Sequence, residues 1–96
     1  MGTHYRRHIS RLASHSGVTT KGEDLMDLIT FDKDYTNPKI FKLQIMVEQN
    51  CEVTINGKSK MTIDQRYGLT LDYTDLDVES FIFDTDQIPY YVVVGY

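Results

Sequence analysis

Few residues in this 96-residue chain have the type and spacing to do chemistry. The three histidines, His4, His8 and His15, all fall in the first fifteen positions. His4 and His8 are four apart and would share a helix face, the spacing that holds a zinc ion. No carboxylate or cysteine lies nearby to complete a set, and the surrounding sequence is a poor helix, so a solvated segment is expected and no metal ligand is assigned. Cys51 is the single cysteine. It alternates with Val53 and Ile55, which reads as a small buried apolar residue and not as a nucleophile. Asp72, Asp75 and Asp77, and also Asp84 and Asp86, are clustered oxygens of the kind calcium takes. They lack EF-hand spacing and stand where aspartate makes turns by bonding its own backbone. No Ser-His-Asp order, glycine-rich phosphate loop or close carboxylate pair is present. The expectation is a non-enzymatic protein with no catalytic residue and no cofactor.

Charge carries more information. Residues 1–22 contain Arg6, Arg7, Arg11 and Lys21 and no acid, a charge of +4. Residues 23–96 hold the other six basic residues and all fourteen acids, a charge of −8. A basic arm on an acidic body suits nucleic acid, an acidic protein surface or a neighbouring copy of the same body. The acidic body would repel a polyanion, which disfavours nucleic acid. Arg6, Arg7 and Arg11 are therefore expected to dock on protein. Tyrosine supplies the other signal, with seven tyrosines and no tryptophan. Exposed tyrosines stack on sugars or anchor protein interfaces. Tyr90, Tyr91, Val93 and Tyr96 lie in a closing run that is apolar on both faces, so they are expected at a subunit interface. Tyr67 and Tyr73 are further exposed candidates.

The elements that must position these residues are mostly strands. Residues 1–22 hold few large apolar groups, and a single helical turn around residues 9–13 is the most they support. They are read as an extended basic arm, able to reach roughly 70 Å, attached to a domain spanning residues 23–96. Residues 22–29 pattern as a short helix, with a strand at 27–31 as the alternative. Residues 32–39 form a loop around Asn37-Pro38. Residues 40–49 alternate Phe41, Leu43, Ile45 and Val47 on one face with polar residues on the other, followed by a turn at Gln49-Asn50. The strand from Cys51 leads to Asn56-Gly57. A two-residue hairpin there would set Ile55 and Val53 opposite lysines. A three-residue loop of Asn56, Gly57 and Lys58 instead pairs Ile55 with Ser59, Val53 with Met61 and Cys51 with Ile63, which keeps the apolar groups on one face. Further strands are expected at 69–73, at 78–84 with Phe81 and Phe83 inward, and at 90–96, with turns at 64–68 and 74–77. The last of them should be central or covered by another subunit. The fold class is all-β: a small antiparallel β-sandwich or flattened barrel of about six strands, with an extended arm and room for one short helix.

Composition and hydropathy exclude two classes. Mean hydropathy is −0.37, no stretch approaches the roughly 18 apolar residues of a membrane helix, and the first residues lack the apolar core of a secretory signal. A lone cysteine gives no intrachain disulfide, which suits a reducing cytoplasm.

The stretch 51–96 resembles small β-structured virion proteins of tailed bacteriophages, among them head decoration proteins and the capsid-bound bases of head fibres. The matching features are VTING at 53–57, RYG-L at 66–69 and the ending IPYYVVVGY at 88–96. The resemblance implies a non-enzymatic virion protein, made in the bacterial host cytoplasm and often trimeric. It would be held on a capsid or tail by other virion proteins, with the N-terminal arm as the attachment element. A carbohydrate-binding module using its tyrosines and a small nucleic-acid-binding barrel using Arg6, Arg7 and Arg11 are the other readings.

Overall fold

The computed structural model describes residues 11–31, 40–72 and 74–96. It contains seven strands: β1 (Leu12–Val18), β2 (Lys42–Val47), β3 (Cys51–Ile55), β4 (Ser59–Ile63), β5 (Leu69–Asp72), β6 (Phe81–Phe83) and β7 (Pro89–Gly95). They form two antiparallel sheets, one ordered β1-β7-β2-β5 and the other β4-β3-β6. After β2 the chain moves to the second sheet for the β3–β4 hairpin. It then alternates sheets through β5, β6 and β7. The inner faces share one core, and the expected all-β sandwich-like fold is what forms.

Period-two burial builds that core. Leu43, Ile45 and Val47 on β2 are buried while Lys42, Gln44 and Met46 are exposed. Val53 and Ile55 on β3 pair with Phe83 and Phe81 on β6, and these four and Cys51 are all within 3% of full burial. Phe81 and Phe83 therefore point inward as expected, with rings 5.9 Å apart at 72°. The β3–β4 register pairs Ile55 with Ser59, Val53 with Met61 and Cys51 with Ile63, as the hydrophobic parity requires. Its loop has Asn56 and Gly57 at φ 56° and 69°, the left-handed conformation these two residue types best tolerate.

Four expectations are corrected. First, the body does not begin at residue 23. Residues 12–18 of the expected arm form β1, which pairs along its whole length with β7, so no helical turn forms at Leu12 and Ala13. Its inner residues Ala13, His15 and Gly17 are small or polar, which is why a search for apolar alternation passes over it. Second, the 22–29 helix is a single 3-10 turn, Leu25–Asp27, and no strand forms in its place. Asp24 caps it by accepting from Met26 N, and the same Oδ1 accepts Phe81 N. Gly22 N donates to Phe83 O and Phe83 N to Glu23 O. Residues 22–24 are thus held along β6, with Asp24 extended, so no helix starts before Leu25.

Third, the strand expected at 78–84 shortens to Phe81–Phe83. The Asn56 side chain takes the preceding backbone: its Oδ1 accepts from Glu79 N and Ser80 N, and its Nδ2 donates to Asp77 O. Fourth, Tyr90 and Tyr96 are not at the surface. The loop expected at 32–39, Tyr73, Arg6, Arg7, His4 and His8 lie outside the described residues.

Candidate interaction surface

The closing strand is central, as expected, with β1 on one side and β2 on the other. Being flanked on both edges also divides its residues between two environments. Tyr90, Val92 and Val94 face inward and are buried, together with Tyr96 just beyond the strand. The Tyr90 ring lies 5.0 Å from Phe83 and 5.8 Å from His15. Burial, and secondarily the Glu23 carboxylate, push its phenol up from the ordinary range. Tyr96 meets Phe31 edge-on at 4.9 Å. Of the four expected interface residues, Tyr90 and Tyr96 are therefore core. Tyr91, half exposed, and Val93, partly exposed, belong to the outer face.

That outer face is assembled by the strand order. Register sets Tyr91 between Ser16 on β1 and Met46 on β2, and Val93 between Ser14 and Gln44. Leu12, Val18, Met46 and Tyr91 are the large exposed apolar groups on it. Its centre bears no charge; Lys42 and Asp72, paired in register, stand at one end. At the other end an open depression of about 530 Å³ is lined by Val18, Met46, Glu48, Pro89 and Tyr91 among others. Met46 is held over the 64–68 turn: a Cβ on Gly68 would stand 2.6 Å from Met46 Sδ and 2.6 Å from Ile45 O. Alternation in β2 alone predicts Met46 outward, but its coincidence with Tyr91 and Val18 needs the β2-β7-β1 order.

The basic segment joins the body at a defined point. Arg11 N donates to Tyr96 O at 2.8 Å and Tyr96 N to Arg11 O at 2.9 Å. The ten residues carrying Arg6 and Arg7 thus precede the first residue of the sheet. The far end of β1 meets the acidic body. Thr19 Oγ1 donates to Thr85 O and accepts from Ile88 N, and Lys21 N donates to Asp86 Oδ1 at 3.1 Å. Thr19 is 1% exposed, the one fully buried polar side chain among the described residues.

The other candidates have structural partners. Asp72 accepts from Thr74, and Asp75 from Asp72 N. Asp84 accepts from Thr54 and Asp86 from Lys21. Among the described residues no group of three His, Cys, Asp or Glu side chains is placed to hold a metal. Cys51 is fully buried; burial first, then Asp84 and Glu52, push its thiol up, so the thiolate needed for nucleophilic attack is disfavoured. Tyr67, 74% exposed, lies under the Arg66 guanidinium at 5.2 Å. Among the described residues no helix is long and apolar enough to cross a membrane. Compared with protein-family models, curated proteins and solved structures, the chain finds no match.

Proposed function

We propose that this chain is a non-enzymatic structural protein of a phage virion, a capsid decoration protein, head-fibre base or similar attachment protein. It self-associates and docks on the particle through its basic N-terminal residues. The observation that carries the reading is the junction at Arg11, where a segment bearing Arg6 and Arg7 and no acid leads directly into the edge strand of an acidic β-body. Such a segment is complementary in charge to an acidic protein surface. Leu12, Val18, Met46 and Tyr91, exposed on the outer side of the first sheet around a centre without charge, favour contact between copies along this sheet.

The test is incorporation into particles banded from the cell that encodes the chain. Deleting residues 1–10 should leave the body folded and abolish incorporation. Deleting residues 1–22 should cost folding as well, since it removes β1 and Thr19. Unchanged incorporation of the shorter deletion would sink the docking role, and particles without the intact protein would sink the virion reading. The depression beside Tyr91 favours a carbohydrate-binding module as the second reading. In that case a glycan array gives a signal that Tyr91→Ala abolishes.

A further inference from the structure

Among the described residues, three of the four sheet edges are guarded in the ways that prevent strand addition. β5 is four residues long and ends on Asp72. β4 carries Lys60 at its second position. β6 is three residues long, and residues 22–24 occupy its free side through the Gly22–Phe83–Glu23 bonds and the Asp24–Ile82 bridge. The fourth edge differs. β1 runs for seven residues, LASHSGV, in unbroken register with β7, without charge, proline or bulge. Arg11 and Tyr96 exchange both backbone hydrogen bonds. By antiparallel alternation the N–H and C=O groups of Ala13, His15 and Gly17 turn towards β7, and those of Leu12, Ser14, Ser16 and Val18 towards the open edge.

We propose that β1 pairs antiparallel with β1 of a second copy about a two-fold axis through His15, joining two four-stranded sheets into one of eight. This specifies the self-association proposed above and rests on that part of the reading. The segment is nearly self-complementary in this register. Leu12 falls opposite Val18, Ala13 opposite Gly17, Ser14 opposite Ser16, and His15 opposite its own copy. Every edge-directed residue meets another edge-directed residue, so donors meet acceptors; a one-residue slip would destroy that match. Leu12 and Val18, 72% and 51% exposed, cover each other twice on the outer face.

Charge selects both the partner and the direction. An uncharged edge lets two chains of net charge −4 approach. The antiparallel arrangement sets Arg11 of one copy beside the end of the other β1, where Glu23 and Asp86 outnumber Lys21. A parallel pairing would set Arg11 against Arg11 and the acidic end against itself.

Sedimentation equilibrium of the full chain with two variants tests this. Ser16→Pro removes an edge-directed N–H and leaves the β1–β7 bonds in place, a position where a strand tolerates proline. By symmetry two intersubunit bonds go, and association should weaken at least about tenfold. His15→Cys places two thiols on the axis at a non-hydrogen-bonded pair, with Cα atoms about 4.5 Å apart. That lies within disulfide range, and mild oxidation should give a covalent dimer that wild type, with only buried Cys51, does not give. A dimeric wild type, a folded monomeric Ser16→Pro and a cross-linked His15→Cys support the proposal. An oligomeric wild type that folded Ser16→Pro leaves intact, or a His15→Cys that fails to cross-link, overturns the β1 edge and leaves self-association standing. A monomeric wild type at tens of micromolar overturns both. If Ser16→Pro does not fold, the His15→Cys disulfide yield decides.

Discussion

Replacing Thr19 by valine should unlock β1 from the rest of the body. The hydroxyl donates to Thr85 O at 2.7 Å and accepts from Ile88 N at 2.9 Å, in a side chain that is 1% exposed. Valine has nearly the same shape and can do neither. The Ile88 N–H is then left unsatisfied in the core and the Thr85 carbonyl partly so. Each unsatisfied buried group costs about 1–3 kcal/mol, and the added methyl returns at most about 0.8 kcal/mol. The expected net loss is about 2–3 kcal/mol. A domain of this size has roughly 5–15 kcal/mol in total, and its melting temperature should fall by about 10–20 °C. Thr19→Ser is the matched control: it keeps both side-chain bonds and loses only a methyl group. The main-chain bonds Thr19 N to Ile88 O and Gln87 N to Thr19 O survive in both variants. The difference between them in urea unfolding therefore isolates the hydroxyl. Equal midpoints for the serine and valine variants would refute the assignment of Thr19 as the lock on β1.

Gly68→Ala should cost more than about 2 kcal/mol, because φ is +69° and the new Cβ would meet the Ile45 carbonyl and Met46 Sδ at 2.6 Å. Gly57→Ala, at the same φ but with nothing within 4 Å, should cost only about 1 kcal/mol in chemical unfolding. The bidentate contact with Arg66 holds Asp64 down from 3.8 to about 2. A lowered carboxylate contributes stability that is present above pH 3.8 and lost as pH falls through about 2. NMR titration of Arg66→Ala should therefore show the Asp64 midpoint returning towards 3.8, and an unmoved midpoint would disprove the pairing.

Much of this fold follows from side-chain parity along the strands. The three-residue loop after Ile55, the inward turn of Phe81 and Phe83 and the central place of the last strand all follow from which face large apolar side chains must occupy. The acidic body and basic first residues are likewise written in the composition. β1 was hidden because its inward residues are Ala13, His15 and Gly17, which are small or polar; His15 and Gly17 lie against the Tyr90 ring. The stop at Ser80 was hidden because the Asn56 side chain, 21 to 24 residues away in sequence, takes the backbone groups a strand would use.

What the chain determines by itself is a period-two pattern, and with it the sheet faces and local registers, because side chains alternate strictly along a strand. Strand order belongs to the tertiary structure alone. It buries Tyr90 and Tyr96 and brings Tyr91, Met46 and Val18 to one outer face, and it leaves β1 at an open edge. Neighbours across a sheet are set by how the two layers close over a shared core, and no local spacing encodes that closure.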